Sequence, residues 1–291
     1  MNVSFSSDVR TPLRWMMAPA VVFTILLIAF PLAYTVWMSL QQYSVGESPR
    51  FIGAANYAQL AKDANFWHGL KITFVLYLLS LVLQLVAGTY LGVLLHSSKK
   101  MRGWLRSILI SPFVLPPVVV GLMWMVLLDP SLGMANWLLS QVGISPSLWL
   151  ASPEWVIPTI ALIDAWQWTP YVALIVVGGL QSLPPSVFEA AQIDGASRAA
   201  TFRRITLPLL WPTIVTAGIL RSVDLLRFFD IIYVTTQGGP GNASETLNIM
   251  AFRKAFEFFD FGYSSALMIT LSTVVLAVTF VFLQVRKAVA W

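Results

Sequence analysis

Long apolar stretches separated by short polar connections dominate the chain. About 20 apolar residues in a helix cross a bilayer core of about 30 Å. Four stretches without Asp, Glu, Lys or Arg reach this length, namely 15–40, 72–95, 107–128 and 264–285. Stretch 155–180 carries one acid, Asp164, and stretch 205–230 is apolar to residue 220 and then charged. We therefore predict an all-α polytopic membrane protein, one transmembrane domain over residues 1–291, with six transmembrane helices.

The composition supports a membrane protein and excludes several classes of function. Hydrophobic residues make up 57% of the chain and charged residues 11%, against about 45–50% and 25% in soluble domains. The chain has no cysteine, no phosphate-binding GxxxxGK[ST] loop and no catalytic ordering of Ser, His and Asp. Neither His68 nor His96 has an acid or a second histidine at ligand spacing. We predict no catalytic residue, no metal site and no nucleic-acid partner.

Basic residues predict the orientation. More than half of the 18 Lys and Arg fall at the two termini and in two connections, the pattern of cytoplasmic segments. They are Arg10, Arg14, Lys99, Lys100, Arg102, Arg106, Arg198, Arg203, Arg204, Arg286 and Lys287. The connection from Asp129 to Glu154 has no basic residue, as expected outside. We predict a multi-pass protein in contact with membrane lipid, with both termini cytoplasmic and its first span retained rather than cleaved.

One polar segment, residues 186–207, stands between two apolar stretches. Glu189-Ala190-Ala191 favours helix, Asp194-Gly195 is a strong turn signal, and a second helical stretch runs from Ala196 to Leu207-Pro208. The predicted helix, turn and helix carry small residues and Phe202, which suit docking of a partner. A solvated amphipathic connection explains the same pattern, and the residues alone leave both interpretations open.

The spacing of this segment closely resembles the EAA loop of the membrane-spanning subunits of bacterial ATP-binding-cassette (ABC) importers. The matching residues are Glu189, Ala190, Ala191, Asp194, Gly195, Ala196, Phe202, Ile205, Leu207, Pro208 and Pro212. The resemblance implies a short coupling helix that docks in a cleft of an ATPase subunit, with Glu189 at the contact. ATP and Mg²⁺ would then belong to the partner ATPase, and this chain would hold no cofactor.

The resemblance extends over most of the chain and is strongest to sugar-type permeases similar to the maltose F-type and glycerol-3-phosphate A-type subunits. It includes the blocks 51–67, 164–171, 229–241 and 261–263. It implies a type I ABC importer permease core in the inner membrane, a second homologous permease subunit, two ATPase subunits and an extracytoplasmic solute-binding protein. The extra N-terminal spans and large outward insertion of the larger F-type members have no counterpart here.

Asp164 is the first candidate for a substrate contact. A charge within a span is costly and commonly faces a cavity, and aromatic walls with a few polar groups are typical of small-molecule sites. The neighbouring candidates are Trp166, Gln167, Trp168 and Tyr171. We favour a cavity-lining role for Asp164 over the alternative of a buried acid that packs helices together.

A second candidate is a ladder of alternating charges. Arg221, Asp224, Arg227 and Asp230 are each three residues apart and thus neighbours on a helix surface. A self-neutralised helix end is the alternative. The resemblance places Asp224, Arg227 and Phe113 at cavity positions of the maltose-type permease, and we add Phe228 to the predicted substrate contacts. The predicted cargo is a sugar, a polyol or a charged, including phosphorylated, derivative.

Two further expectations complete the sequence-based picture. Pro112, Pro116 and Pro117 predict a kink in the third span. An ion-coupled secondary transporter is the alternative function, in which Asp164 and Asp224 would couple ions at the midplane. The sequence shows no inverted repeat, however, and such a transporter has no use for an ATPase-docking segment.

Overall fold

The computed structural model describes residues 7–97 and 102–289, so Lys99 and Lys100 of the predicted inner connection lie outside the described residues. Helices account for most of it. They are α1 (Ser7–Ser39), α2 (Ala55–Lys62), α3 (Ala64–Ser97), α4 (Arg102–Val114), α5 (Pro117–Leu127), α6 (Met134–Gln141), α7 (Val156–Gln181), α8 (Pro185–Ile193), α9 (Arg198–Thr201), α10 (Leu207–Leu226), α11 (Asp230–Thr235), α12 (Leu247–Phe256) and α13 (Phe261–Val289). Strands β1 (Gln41–Gln42) and β2 (Arg50–Phe51) pair antiparallel, with Gln41 opposite Phe51.

The number of apolar helices agrees with the prediction of six spans. Five helical segments are long and apolar enough to cross a membrane: Met16–Ser39, Ala64–Ser97, Val156–Gln181, Arg198–Thr235 and Phe261–Lys287. The pair Ser107–Val114 and Pro117–Leu127 makes a sixth when counted together. The fold is an all-α polytopic membrane fold, as predicted.

The third apolar stretch is not one helix, which corrects the expectation of a merely kinked span over 107–128. Its two halves are bent by 101°, because Pro116 and Pro117 follow one another where α4 ends. Proline lacks an N–H and disfavours helical geometry in the residue before it. The carbonyl of Leu115 is left without a helical donor, and the Gln167 Nε2 donates to it at 2.9 Å.

The contacts divide the chain into two compact units, of which the larger comprises Asp63–Met250 and Thr270–Trp291. Within it the most extensive pairing between described helices joins α3 and α7. Gly88 and Gly92 of α3 face Val172 and Val176 of α7, and small residues of this kind let membrane helices approach closely. A buried apolar cluster continues this contact to α10: Val172, Val176, Leu180, Leu210, Ile214 and Ala217.

The smaller unit comprises Met1–Lys62 and Ala251–Ile269. The buried Asn56 amide donates to the backbone oxygens of Ser39 at 2.8 Å and Gln41 at 2.9 Å, which fixes α2 against the end of α1. An isolated bridge pairs Ser44 with Asp260. Lone carbonyls at a span end need such donors, so this unit is ordered by polar contacts where α1 stops.

Candidate functional site

The predicted coupling segment has the predicted order of helix, turn and helix. Pro185 opens α8, where a missing N–H costs nothing. The N–H of Gly195 bonds the Gln192 oxygen at 3.1 Å and the N–H of Ala196 bonds the Ala191 oxygen at 2.9 Å. Gly195 has φ +69°, the left-handed conformation that a Schellman helix end requires of the residue after the cap. Glycine is therefore needed at this turn.

The second helix of the segment starts and continues differently from the prediction. It begins at Arg198, with the Ser197 hydroxyl accepting from the Ala200 N–H at 3.3 Å. It runs through a π-helical turn, Phe202–Thr206, directly into α10. Since Pro208 has no N–H to donate, the widened turn before it accommodates the missing bond. Leu207 and Pro208 thus lie inside one long helix, and the segment is continuous with a span.

The residues predicted to contact an ATPase differ in their exposure to solvent. Glu189, Ala190, Asp194 and Ala196 are exposed, whereas Ala191 is buried. Phe202 lines a groove of about 550 Å³ within the chain, beside Phe188 and Val93. Ile193, which we did not predict, is 86% exposed on the last turn of α8. An apolar residue next to Asp-Gly in a polar loop was the signal for it.

The structure places Asp164 in the interior, in the environment expected of a buried acid that packs helices together. Its side chain is fully buried, and both carboxylate oxygens lie 3.3 Å from Nη2 of Arg221. The Gln84 Nε2 also donates to it, and the Arg221 Nε donates to the Gln84 Oε1 at 2.7 Å. Three helices, α3, α7 and α10, therefore meet at one buried ion pair rather than at an open carboxylate.

The charge ladder is present over three of its four predicted members. Arg221 Nη1 lies 3.4 Å from Asp224 Oδ2, and Arg227 Nη2 lies 3.9 Å from Asp224 Oδ1. The Asp224 and Arg227 side chains are 49% and 60% exposed. Asp230 lies beyond the end of α10 and starts α11. The ladder thus leads from the buried ion pair to an accessible surface.

An aromatic cluster adjoins the ladder. The Phe113 ring lies 5.2 Å from Trp168 and 5.3 Å from Tyr171, centroid to centroid, and all three side chains are half-buried. The Arg221 guanidinium lies 4.0 Å from the centre of the Trp168 ring, within range of a cation–π interaction. The aromatic cluster and the charge ladder are therefore in contact, through Arg221 and Trp168.

Three other predicted substrate contacts have different partners. Gln167 is buried with its amide on the Leu115 oxygen. Trp166 packs edge-on against Trp124 at 5.6 Å. Phe228 packs against two buried apolar clusters. The side chains of Gln167 and Phe228 are thus engaged in packing. Among the described residues no group of three or more His, Asp or Glu is placed to hold a metal ion.

Comparison with known proteins assigns the family. The family described as "Binding-protein-dependent transport system inner membrane component" matches residues 84–289. This chain belongs to that family. It is thus a permease component of an ABC importer, a transport subunit of the inner membrane, and members of the family work with a solute-binding protein.

Relatives of this inner membrane component are named for different transported substrates. The trehalose/maltose transport system permease protein MalF of Thermococcus litoralis is 37% identical, with 94% of this chain and 92% of that protein covered. The sulfoquinovosyl glycerol permease protein SmoG of Agrobacterium fabrum is 34% identical, with 94% and 89% covered. The sn-glycerol-3-phosphate permease protein UgpA of the same organism is 30% identical, with 94% of both covered.

Solved structures of importers share the fold. A chain of a bacterial alginate ABC transporter, in complex with an alginate-pentasaccharide-bound periplasmic protein, superposes with a TM-score of 0.84 at 22% identity, covering 94% of this chain and 93% of that one. A chain of the MetNI methionine ABC transporter gives 0.58 at 18% identity, covering 77% and 95%. At these identities the likeness concerns the fold alone.

Proposed function

We propose that this permease subunit moves a sugar, a polyol or a sugar derivative past the surface formed by Phe113, Trp168, Tyr171, Asp224 and Arg227. The observation that carries the proposal is the contact between an aromatic cluster and an accessible ladder of charges, joined at Arg221. Aromatic faces suit sugar rings, and carboxylate and guanidinium groups suit hydroxyl or phosphate groups. The names of the relatives, trehalose/maltose and glycerol 3-phosphate among them, agree with this range.

We also propose the assembly that the resemblance implies. The chain pairs with a second homologous permease, binds two ATPase subunits on its cytoplasmic side and receives substrate from a solute-binding protein outside. Both termini are cytoplasmic, and ATP and Mg²⁺ are held by the ATPases. Supporting this, Glu189 and Ile193 present an acidic and an apolar side chain on the exposed surface of α8. Closure of the ATPases then moves α8 and, through the continuous helix that follows it, α10.

The ion-coupled alternative has lost its support. The family is one of ABC importer permeases, and Asp164, the acid that would have coupled ions, is ion-paired with Arg221. A buried carboxylate held by a guanidinium and an amide is unsuited to binding and releasing an ion at each cycle, because each release would leave Arg221 uncompensated.

Co-purification tests the assembly. The chain is purified from its native membranes in mild detergent, and co-purifying proteins are identified by mass spectrometry. We expect a second permease and a P-loop ATPase, with recovery of the ATPase strongly reduced by Glu189→Lys. Glu154→Lys is the matched control, because Glu154 is exposed but lies before α7, outside the coupling segment. Recovery of the chain alone, or equal ATPase recovery from both variants, would contradict the proposal.

Transport tests the substrate surface. The assembled transporter in ATP-containing vesicles is offered radiolabelled trehalose, maltose and glycerol 3-phosphate. Asp224→Ala and Arg227→Ala should change which of these is carried, or at what concentration, because both side chains are accessible and neither belongs to the buried core. Normal assembly with unaltered substrate use in both variants would remove the ladder from the substrate surface.

A further inference from the structure

The Arg221 guanidinium contacts four side chains from three helices. Its Nε donates to Gln84 at 2.7 Å, its Nη2 lies 3.3 Å from Asp164, and its Nη1 lies 3.4 Å from Asp224. Its Cζ lies 4.0 Å from the centre of the Trp168 ring. Gln84 and Asp164 are completely buried, and Arg221 is 1% exposed. Asp224 and Trp168 are accessible or half-buried. One residue thus connects a closed interior to an accessible surface.

We propose that Arg221 is a positioning residue for the substrate surface. It fixes the plane of the Trp168 ring and the place of the Asp224 carboxylate, while Asp164 and Gln84 fix Arg221 from behind. The proposal rests on the proposed function of that surface. It adds a buried layer of three residues, Gln84, Asp164 and Arg221, that does not touch substrate but sets the geometry of the residues that do.

The chemistry of guanidinium suits this task. Arginine presents five donors in a rigid planar fork and also stacks on aromatic faces, so one group can be bonded along its edges and packed on its face. Lysine carries a compact ammonium with three donors but no planar fork, so it cannot hold the same partners in the same geometry. A buried ion pair adds little to stability compared with apolar residues of the same volume. Gain in stability is therefore a weak reason to bury Asp164 and Arg221, and fixed geometry at the adjoining surface is a better one.

Asp224 shows what this layer controls. Its two oxygens are divided between Arg221 at 3.4 Å and Arg227 at 3.9 Å. The charges of these three residues and of Asp164 sum to zero. If the ion pair with Arg221 is lost, the Asp224 side chain can rotate at the exposed end of α10 and pair with Arg227 alone. We therefore expect a change at Arg221 to alter substrate binding at Asp224 and Trp168, although Arg221 itself does not contact substrate.

The first test measures transport by the assembled complex in ATP-containing vesicles, with radiolabelled trehalose, maltose and glycerol 3-phosphate as probes. Arg221→Lys should raise the KM of the carried probe about tenfold or more, as expected from loss of a hydrogen bond to a charged group, with a smaller change in maximal rate. Trp168→Phe should raise it too, and the double variant should be little worse than either, because both act through one geometry. Arg253→Lys, at the exposed Arg253–Glu257 pair, is the matched control and should change nothing.

A merely structural role predicts otherwise. Arg221→Lys would then lower the amount of assembled complex and the maximal rate at an unchanged KM, and its effects would multiply with those of Trp168→Phe. That outcome would overturn the proposal. If Arg221→Lys does not assemble, the neutral pair Asp164→Asn with Arg221→Gln replaces it, since removing both charges together avoids an uncompensated buried ion. We expect the same rise in KM from the pair, and a wild-type KM would refute the positioning role.

A second test needs no substrate. The chain has no cysteine, so Arg227→Cys gives it a single thiol beside Asp224, and its modification by cationic and anionic methanethiosulfonates is read on this chain by mass spectrometry. Adding Arg221→Lys frees the Asp224 carboxylate and should change the ratio of the two rates by about threefold or more, because the position of the carboxylate charge relative to the thiol changes. An unchanged ratio would refute the proposal. If none of the three probes is carried by the wild type, the proposed substrate class fails, while this ratio still decides the role of Arg221.

Discussion

The contact between α3 and α7 allows a quantitative prediction at Gly92. A Cβ added there would lie 2.7 Å from Val176 Cγ1 and 2.9 Å from the backbone oxygen of Ala173. Carbon atoms pack at about 3.5–4.0 Å, so Gly92→Ala overlaps by roughly 1 Å. The carbonyl cannot rotate away, because it belongs to the α7 backbone. Relief therefore requires the two helices to separate.

Gly178→Ala is the matched control, because the same substitution on α7 meets no described atom within 4 Å. Overpacking typically costs about 1–3 kcal/mol, while replacing glycine by alanine within a helix gains about 1 kcal/mol at either site. The gain cancels in the comparison. We expect Gly92→Ala to be less stable than Gly178→Ala by about 1–3 kcal/mol, or by several degrees in Tm on the scale of about 2–4 °C per kcal/mol for domains of 150–250 residues.

The assay is heating of the purified complex in detergent, followed by size-exclusion chromatography of the soluble fraction. The second variant is Val176→Ala, which removes the Cγ1 atom that an added Cβ would meet. Gly92→Ala combined with Val176→Ala should recover only part of the loss, because the Cβ of residue 176 and the Ala173 oxygen still lie 2.8 Å and 2.9 Å from the added Cβ. Equal stability of Gly92→Ala and Gly178→Ala would refute the close approach of α3 and α7.

Three more predictions concern single groups. Gly195→Ala should destabilise the coupling turn by about 1–2 kcal/mol, the usual cost of a left-handed non-glycine residue. It should also lower ATP-driven uptake relative to the control Gly178→Ala. Wild-type uptake would show that the glycine turn is not needed. Asp164→Asn should lower the melting temperature by an amount corresponding to about 3–5 kcal/mol, because it leaves Arg221 buried without its counter-charge. Adding Arg221→Gln should restore most of the loss. No restoration would argue against the ion pair. Gln167→Leu should cost about 1–3 kcal/mol by leaving the Leu115 oxygen unpaired, measured by the same heating assay, whereas a neutral effect would mean that the oxygen finds another donor.

The coupling segment shows how far a local pattern reaches. Helix, turn and helix were predictable because Asp194-Gly195 and the alanines act through short-range backbone preferences, and the Schellman bonds at Ala191 and Gln192 realise them. The π turn before Pro208 was not predicted, although the missing N–H of proline was its signal. Exposure of Ile193 was equally a local matter, since a polar loop cannot bury it.

The apolar pattern by itself determined the membrane class, because a spanning helix needs only its own length and hydropathy, and the coupling motif determined the family. The sequence also predicted Phe113, Trp168, Asp224 and Arg227 as substrate contacts, which stays a prediction. It could not predict the partners of Asp164, because these are Arg221 and Gln84, which lie 57 and 80 residues away in the chain. It could not tell a kink from the 101° break at Pro116, since the break requires Gln167 to satisfy Leu115. Pairing of buried polar groups is a property of three packed helices, and only the tertiary structure brings them together.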